Sequence, residues 1–202
     1  MDMKTIGIVV IVVALAFTVY MEVQKRTSFA KLEAYLRDGD LENYLMVLDR
    51  PLTNILYPKY NVLFMRLNAL LAMDDTEKTA AIIRKMSSLK MSDEQKLALA
   101  AKAFTFYVEV EDEPHARVVL EYLEANGDES MARANRRTYD IFLKGSSAYV
   151  GEMEHALSDA SGVEEALLCQ MLAIQYDNKG DAARSASYRE RAERLVDAAI
   201  SK

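Results

Sequence analysis

Residues 169–195 read CQMLAIQYDNKGDAARSASYRERAERL, and the fold follows from how this stretch is divided. Leu172, Ala173 and Tyr176 recur at three- and four-residue spacing, the period of one helix face. Gly180-Asp181 interrupts that stripe, with glycine where a helix ends and Asp where the next begins. A second helix follows, so the stretch is a helical hairpin. Comparable breaks lie at Gly39-Asp40, Asp74-Asp75, Glu111-Asp112 and Gly145-Ser146. From Gly39 to Asp75, Glu111, Gly145 and Gly180 the steps are 36, 36, 34 and 35 residues. Two helices repeated at that period are the mark of a helical solenoid.

The rest of the chain supports an all-α reading. Phe29, Leu32, Tyr35 and Leu36 form one stripe, and Leu63, Leu67, Leu70 and Leu71 form another. No segment alternates with period two. Gly39, Gly127, Gly145, Gly162 and Gly180 fall between stripes, and Pro51, Pro58 and Pro114 fall at proposed helix ends. Ser92 with Gln95 three residues on is a capping box. Helices of about 10–20 residues are expected. With 202 residues there is room for one ordinary domain and an appendage. The expected order is an N-terminal transmembrane helix, then an α-α superhelix of about four to five hairpins.

The last hairpin resembles a tetratricopeptide repeat. Leu172-Ala173 followed by Tyr176 resembles the large-small-aromatic run of that family's first helix, and Gly180-Asp181 resembles its turn. Ser185 and Ala192 fall where its second helix needs small residues. The second and third hairpins resemble it more loosely, through Leu67 with Ala80 and Tyr107 with Ala116. The hairpins around Gly39 and Gly145 depart from it, with Tyr44 and Val150 where a small residue is expected. The resemblance covers roughly residues 28–202.

Residues 1–26 are a different material from residues 27–202. The run TIGIVVIVVALAFTVYM, Thr5 to Met21, carries no charge over 17 residues. That suffices to span a bilayer core when Lys25 and Arg26 extend it to the headgroups. Ala14-Leu15-Ala16 has the form of a signal-peptidase site, but Asp2 opposes Lys4 and the apolar run continues beyond Ala16. Residues 5–24 are therefore expected to be a retained membrane anchor. Lys4 stands on one side of it; Lys25, Arg26, Lys31 and Arg37 stand on the other. That asymmetry favours a repeat domain facing the cytoplasm, with the extracytoplasmic face as the alternative.

Chemistry is sparse. Cys169 is the single cysteine and its leucine-rich surroundings mark it as a packing residue, so no disulfide or cysteine-based metal cluster is expected. His115 and His155 each follow an acid by three residues, Asp112 and Glu152, a spacing helical bundles use for metals. Two further inward carboxylates are not evident, and Pro114 puts the first pair at a helix start, so no metal site is expected. Arg133, Arg136 and Arg137 form the densest basic patch and read as a solvated face. A net charge of −6 argues against nucleic acid. No phosphate-binding, nucleophile-elbow or zinc-protease motif occurs, and no catalytic residue or cofactor is expected.

What remains is a membrane-tethered adaptor or scaffold for a protein partner; an enzyme or regulator with an unrecognised ligand or metal site is the alternative. The resemblance implies that first helices line a concave face. The inward positions would be Met65, Ala69 and Met73, then Ala101, Thr105 and Val108, then Asn135, Tyr139 and Phe142, then Gln170 and Ile174. The set carries no Lys or Arg, so the expected partner is an apolar peptide or amphipathic helix.

Overall fold

The computed structural model describes the backbone of residues 3–200 and the side chains of residues 14–199. Among the described residues there are eleven α-helices and no strand. They are α1 (Met3–Arg37), α2 (Leu41–Leu48), α3 (Pro51–Leu56), α4 (Lys59–Ala72), α5 (Thr76–Ser87) and α6 (Asp93–Glu109). The chain continues with α7 (Glu113–Asn126), α8 (Glu129–Phe142), α9 (Val150–Leu157), α10 (Val163–Asn178) and α11 (Ala182–Ile200). Two compact units emerge, one ending at Leu99 and the other beginning at Ala100, so the boundary falls within α6.

One turn is built four times from the same parts. The N–H groups of Asp40, Asp75, Asp112 and Asp181 donate to the carbonyls of Tyr35, Leu70, Tyr107 and Tyr176 at 2.8–3.1 Å. This six-to-one bond closes a Schellman motif, which requires a left-handed residue just before each Asp. Gly39 and Gly180 supply it with φ of 71° and 76°, whereas Asp74 and Glu111 adopt 55° despite their side chains. Each Asp then caps the following helix, accepting from the N–H of Asn43, Lys78, His115 or Arg184. The hairpin at Gly39 thus has the repeat's turn even though Tyr44 departs from its sequence pattern. Gly145 is different. Its φ is 63°, but Ser146 N–H donates to Asp140 O, and Val150 starts a helix only after an irregular stretch.

The prolines and the Ser92 box sit as the sequence suggests. Pro51 is in the first turn of α3, Pro58 caps α4, and Pro114 is in the first turn of α7. Ser92 and Gln95 exchange both capping bonds at 3.1 and 3.3 Å. Helix lengths are less regular than expected: α2 and α9 have 8 residues and α3 has 6. The second helix of the first hairpin is split because Pro51 cannot donate into a helix running from Leu41.

In the first unit α1 packs on α2 and α3, α2 on α4, and α4 on α5. Leu32, Tyr44, Val47, Leu48, Val62 and Ala69 form a core. The buried Thr53 hydroxyl donates to Val47 O at 2.6 Å, tying α3 to α2. In the second unit α7 packs on α8, and α10 packs on α8, α9 and α11. Its core joins Ile141, Val150, Met153, Leu157, Cys169, Leu172, Tyr176 and Ala192. Buried Gln175 accepts from Tyr149 N–H at 3.0 Å, and Asn178 donates to the carbonyls of Ile141 and Ser146. Those bonds pin the irregular stretch before α9 onto α10.

Among the described residues no helix is long and apolar enough to cross a membrane. Of the expected anchor, 5–24, the side chains of residues 5–13 lie outside the described residues. α1 runs without a break through the expected domain boundary at 26/27. Five of its apolar side chains ahead of Gln24 are bare: Leu15, Phe17, Val19, Tyr20 and Val23 are each more than half exposed.

Candidate functional site

A cleft in the second unit is built on two alanines. Ala173 of α10 and Ala192 of α11, each 2% exposed, form its floor. Without longer side chains at these positions the two helices approach closely and leave a furrow. Phe142, at the end of α8 and 43% exposed, and half-buried Ile174 supply apolar walls. Gln170, Arg189 and Glu193 line the rim. The residues fall at i, i+3 and i+4 on each helix, Gln170-Ala173-Ile174 and Arg189-Ala192-Glu193, so each triplet shares one face. Gln170 and Glu193 also border a second depression with Val196 and Asp197, which extends the furrow along α11.

Charge around the furrow is mostly committed. Arg189 donates to Asp177 at 2.7 Å, and Arg191 donates to Glu165 with both Nε and Nη2. Beside the furrow, Tyr176 and Tyr188 stack at 5.6 Å and both hydroxyls donate to Glu154 Oε1. Burial, reinforced by that bond, pushes the Tyr188 phenol up to about 12. These groups tie α9, α10 and α11 together.

The expected inward positions separate into three groups. Phe142, Gln170 and Ile174 meet in the furrow. Ala69, Val108 and Tyr139 are buried, and Met65 packs on the first unit's core. Tyr139 has its hydroxyl 3.3 Å from Glu113, and its ring is 3% exposed. Ala69, Val108 and Tyr139 serve packing, and Met65 is half-buried against the first unit's core. Met73 and Thr105 are exposed, Ala101 and Asn135 half-buried; Thr105 and Asn135 bond back to their own helices.

The α11 wall was not among the expected positions, because those were drawn from the first helix of each hairpin and α11 is a second helix. Ala192 within its arginine-rich sequence is the signal for it: a small residue facing Ala173. The expected set carries no Lys or Arg, and Arg189, which lines the rim, lies outside it.

The remaining chemical candidates have structural roles. Asp112 caps α7, and its carboxylate bonds His115 Nδ1 at 2.7 Å while the imidazole stacks on Tyr107. No group of three or more potential metal ligands occurs among the described residues. Arg133 pairs with Glu129, Arg136 with Glu124 at 2.7 Å, and Arg137 with Glu152 at 2.8 Å. Cys169 is fully buried, and burial pushes its thiol pKa up, away from the reactive thiolate. No family model, curated protein or solved structure matches this chain.

Proposed function

We propose that the chain is a membrane-anchored, tetratricopeptide-like adaptor that holds a protein partner beside the bilayer. The observation that carries this reading is the run of bare side chains from Ala14 to Tyr20, seven consecutive exposed residues that go fully round α1. An apolar helix exposed on every side has no stable place in water, whereas lipid removes that penalty. The uncharged sequence extends back from there to Thr5. Residues 5–24 are accordingly assigned to the bilayer, and the basic residues after them favour a domain on the cytoplasmic side.

The repeat reading is supported by the fourfold turn, each copy with a left-handed residue and an Asp cap. Stacked helical hairpins are interaction surfaces more often than reaction vessels, and the furrow suits that use. Its alanine floor and the Phe142 and Ile174 walls fit an apolar side chain. Glu193 at its edge fits a partner whose flanks are neutral or basic. An amphipathic helix of that kind is the proposed ligand.

The test uses the full-length chain in its native membrane with a photo-cross-linking residue at Gln170. One protein should be cross-linked through an amphipathic segment. Capture should fall at least tenfold in Phe142→Ala/Ile174→Ala while the helical melting profile remains cooperative. Undiminished capture by that folded variant would remove the furrow from the account.

A further inference from the structure

The α3 corner carries apolar surface for which the hairpin packing offers no reason. From Leu52 to Pro58 the chain has no charge, and Arg50 and Lys59 bracket the segment. Ile55 is 71% exposed, the highest value among the described large apolar side chains of the first unit. It lines a cleft together with Leu56 and with Phe17, Thr18, Met21, Glu22 and Lys25 of α1. The corner is held at that height on α1 by a defined contact: Tyr57 donates its hydroxyl to Lys25 O at 3.1 Å. A second cleft, with Leu56, Tyr57 and Pro58 facing Lys25, Arg26 and Phe29, continues from the first.

The register on α1 sets the depth. Lys25, where Tyr57 docks, and Phe17, which Ile55 neighbours, are eight residues apart, about 12 Å along the helix. Phe17 and Met21 belong to the last turns of the uncharged run. Because α1 is one unbroken helix, the depth of Phe17 fixes the depth of Ile55.

We infer that the α3 corner is a second membrane contact, inserting Ile55 at the boundary of acyl chains and headgroups of an anionic lipid surface. This rests on the anchor assigned to α1. The occupant follows from continuity with the apolar run and from charge: exposed Lys25, Arg26 and Lys59 ring the corner, where lipid phosphates would lie. Glu22, the acid among them, is paired with Arg26 at 3.2 Å. A single helix would leave the domain free to swing, and a second point of insertion fixes its orientation.

The test is depth-dependent fluorescence quenching of the full-length chain in phosphatidylcholine–phosphatidylglycerol vesicles. With Cys169→Ala as background, an environment-sensitive label is attached through Phe17→Cys, Ile55→Cys or Asn68→Cys. The labels at 17 and 55 should shift to the blue and be quenched by a nitroxide placed high on the acyl chain. The label at 68, on exposed α4 surface, should report water. Quenching at 17 with none at 55 overturns the second contact while the anchor stands. Equal quenching at 55 and 68 also overturns it, since the corner would have no special depth. No quenching at any site overturns the anchor itself.

Discussion

Glu111 and Asp74 sit at φ 55°, a backbone conformation that strains side chains with a Cβ and that Gly39 and Gly180 adopt freely. Exchanging the residues should therefore move stability in opposite directions. Glu111→Gly should stabilise by about 0.5–1 kcal/mol, the relief of strain less the added backbone freedom of glycine. Gly180→Ala should destabilise by about 1–2 kcal/mol. Urea midpoints at constant slope measure both. The capping carboxylates predict a response to acid. The bond with His115 chiefly holds Asp112, and the backbone bond from Arg184 chiefly holds Asp181, below the ordinary value of 3.8. A group depressed in the folded state contributes stability above its unfolded pKa and loses it as pH falls through the folded one. Melting temperature should therefore drop as pH falls below about 4, less steeply in Asp112→Asn/Asp181→Asn. Tyr188 acts at the other extreme: raised from 10.0 to about 12, it contributes fully below pH 10 and loses its contribution as pH rises through 12. Tyr188→Phe should remove that alkaline part of the profile.

At the scale of elements, α10 and α11 depend on the alanine pair. Ala173→Leu should overpack the hairpin and destabilise it by about 1–3 kcal/mol, read as a lower denaturation midpoint. The caps and prolines were legible in the sequence because they act locally, through bonds within three or four residues. So was the burial of Ala116, Ala173 and Ala192, small residues where the resemblance implies close helix contacts. Tyr139 and Phe142 were not separable in this way, since both lie on one face of α8, three residues apart. Buried Tyr139 is met by Glu113 and Lys144, which bond each other and reach its hydroxyl and ring. That partnership joins residues up to 31 positions apart and leaves no mark in the local pattern. The split between α2 and α3 was half legible: Pro51 announces a helix start, but not that a helix ends three residues earlier, at Leu48.

For the whole molecule, the proposal is a helical-repeat protein held on a bilayer by way of α1. Ala14→Arg, near the middle of residues 5–24, should disfavour insertion by about 2.5–3.5 kcal/mol and shift the chain out of the membrane fraction. In the proposed reading, the corner at Ile55 sets how the first unit lies on the surface, and the furrow between α10 and α11 sets what is held there. Both matter only if the anchor is retained. The most direct measurement is alkaline extraction of membranes from cells making the full-length chain, followed by intact-mass determination. The account predicts a chain that stays in the membrane pellet with its N-terminal run intact. A chain released into the supernatant, or one beginning at Phe17, would contradict it.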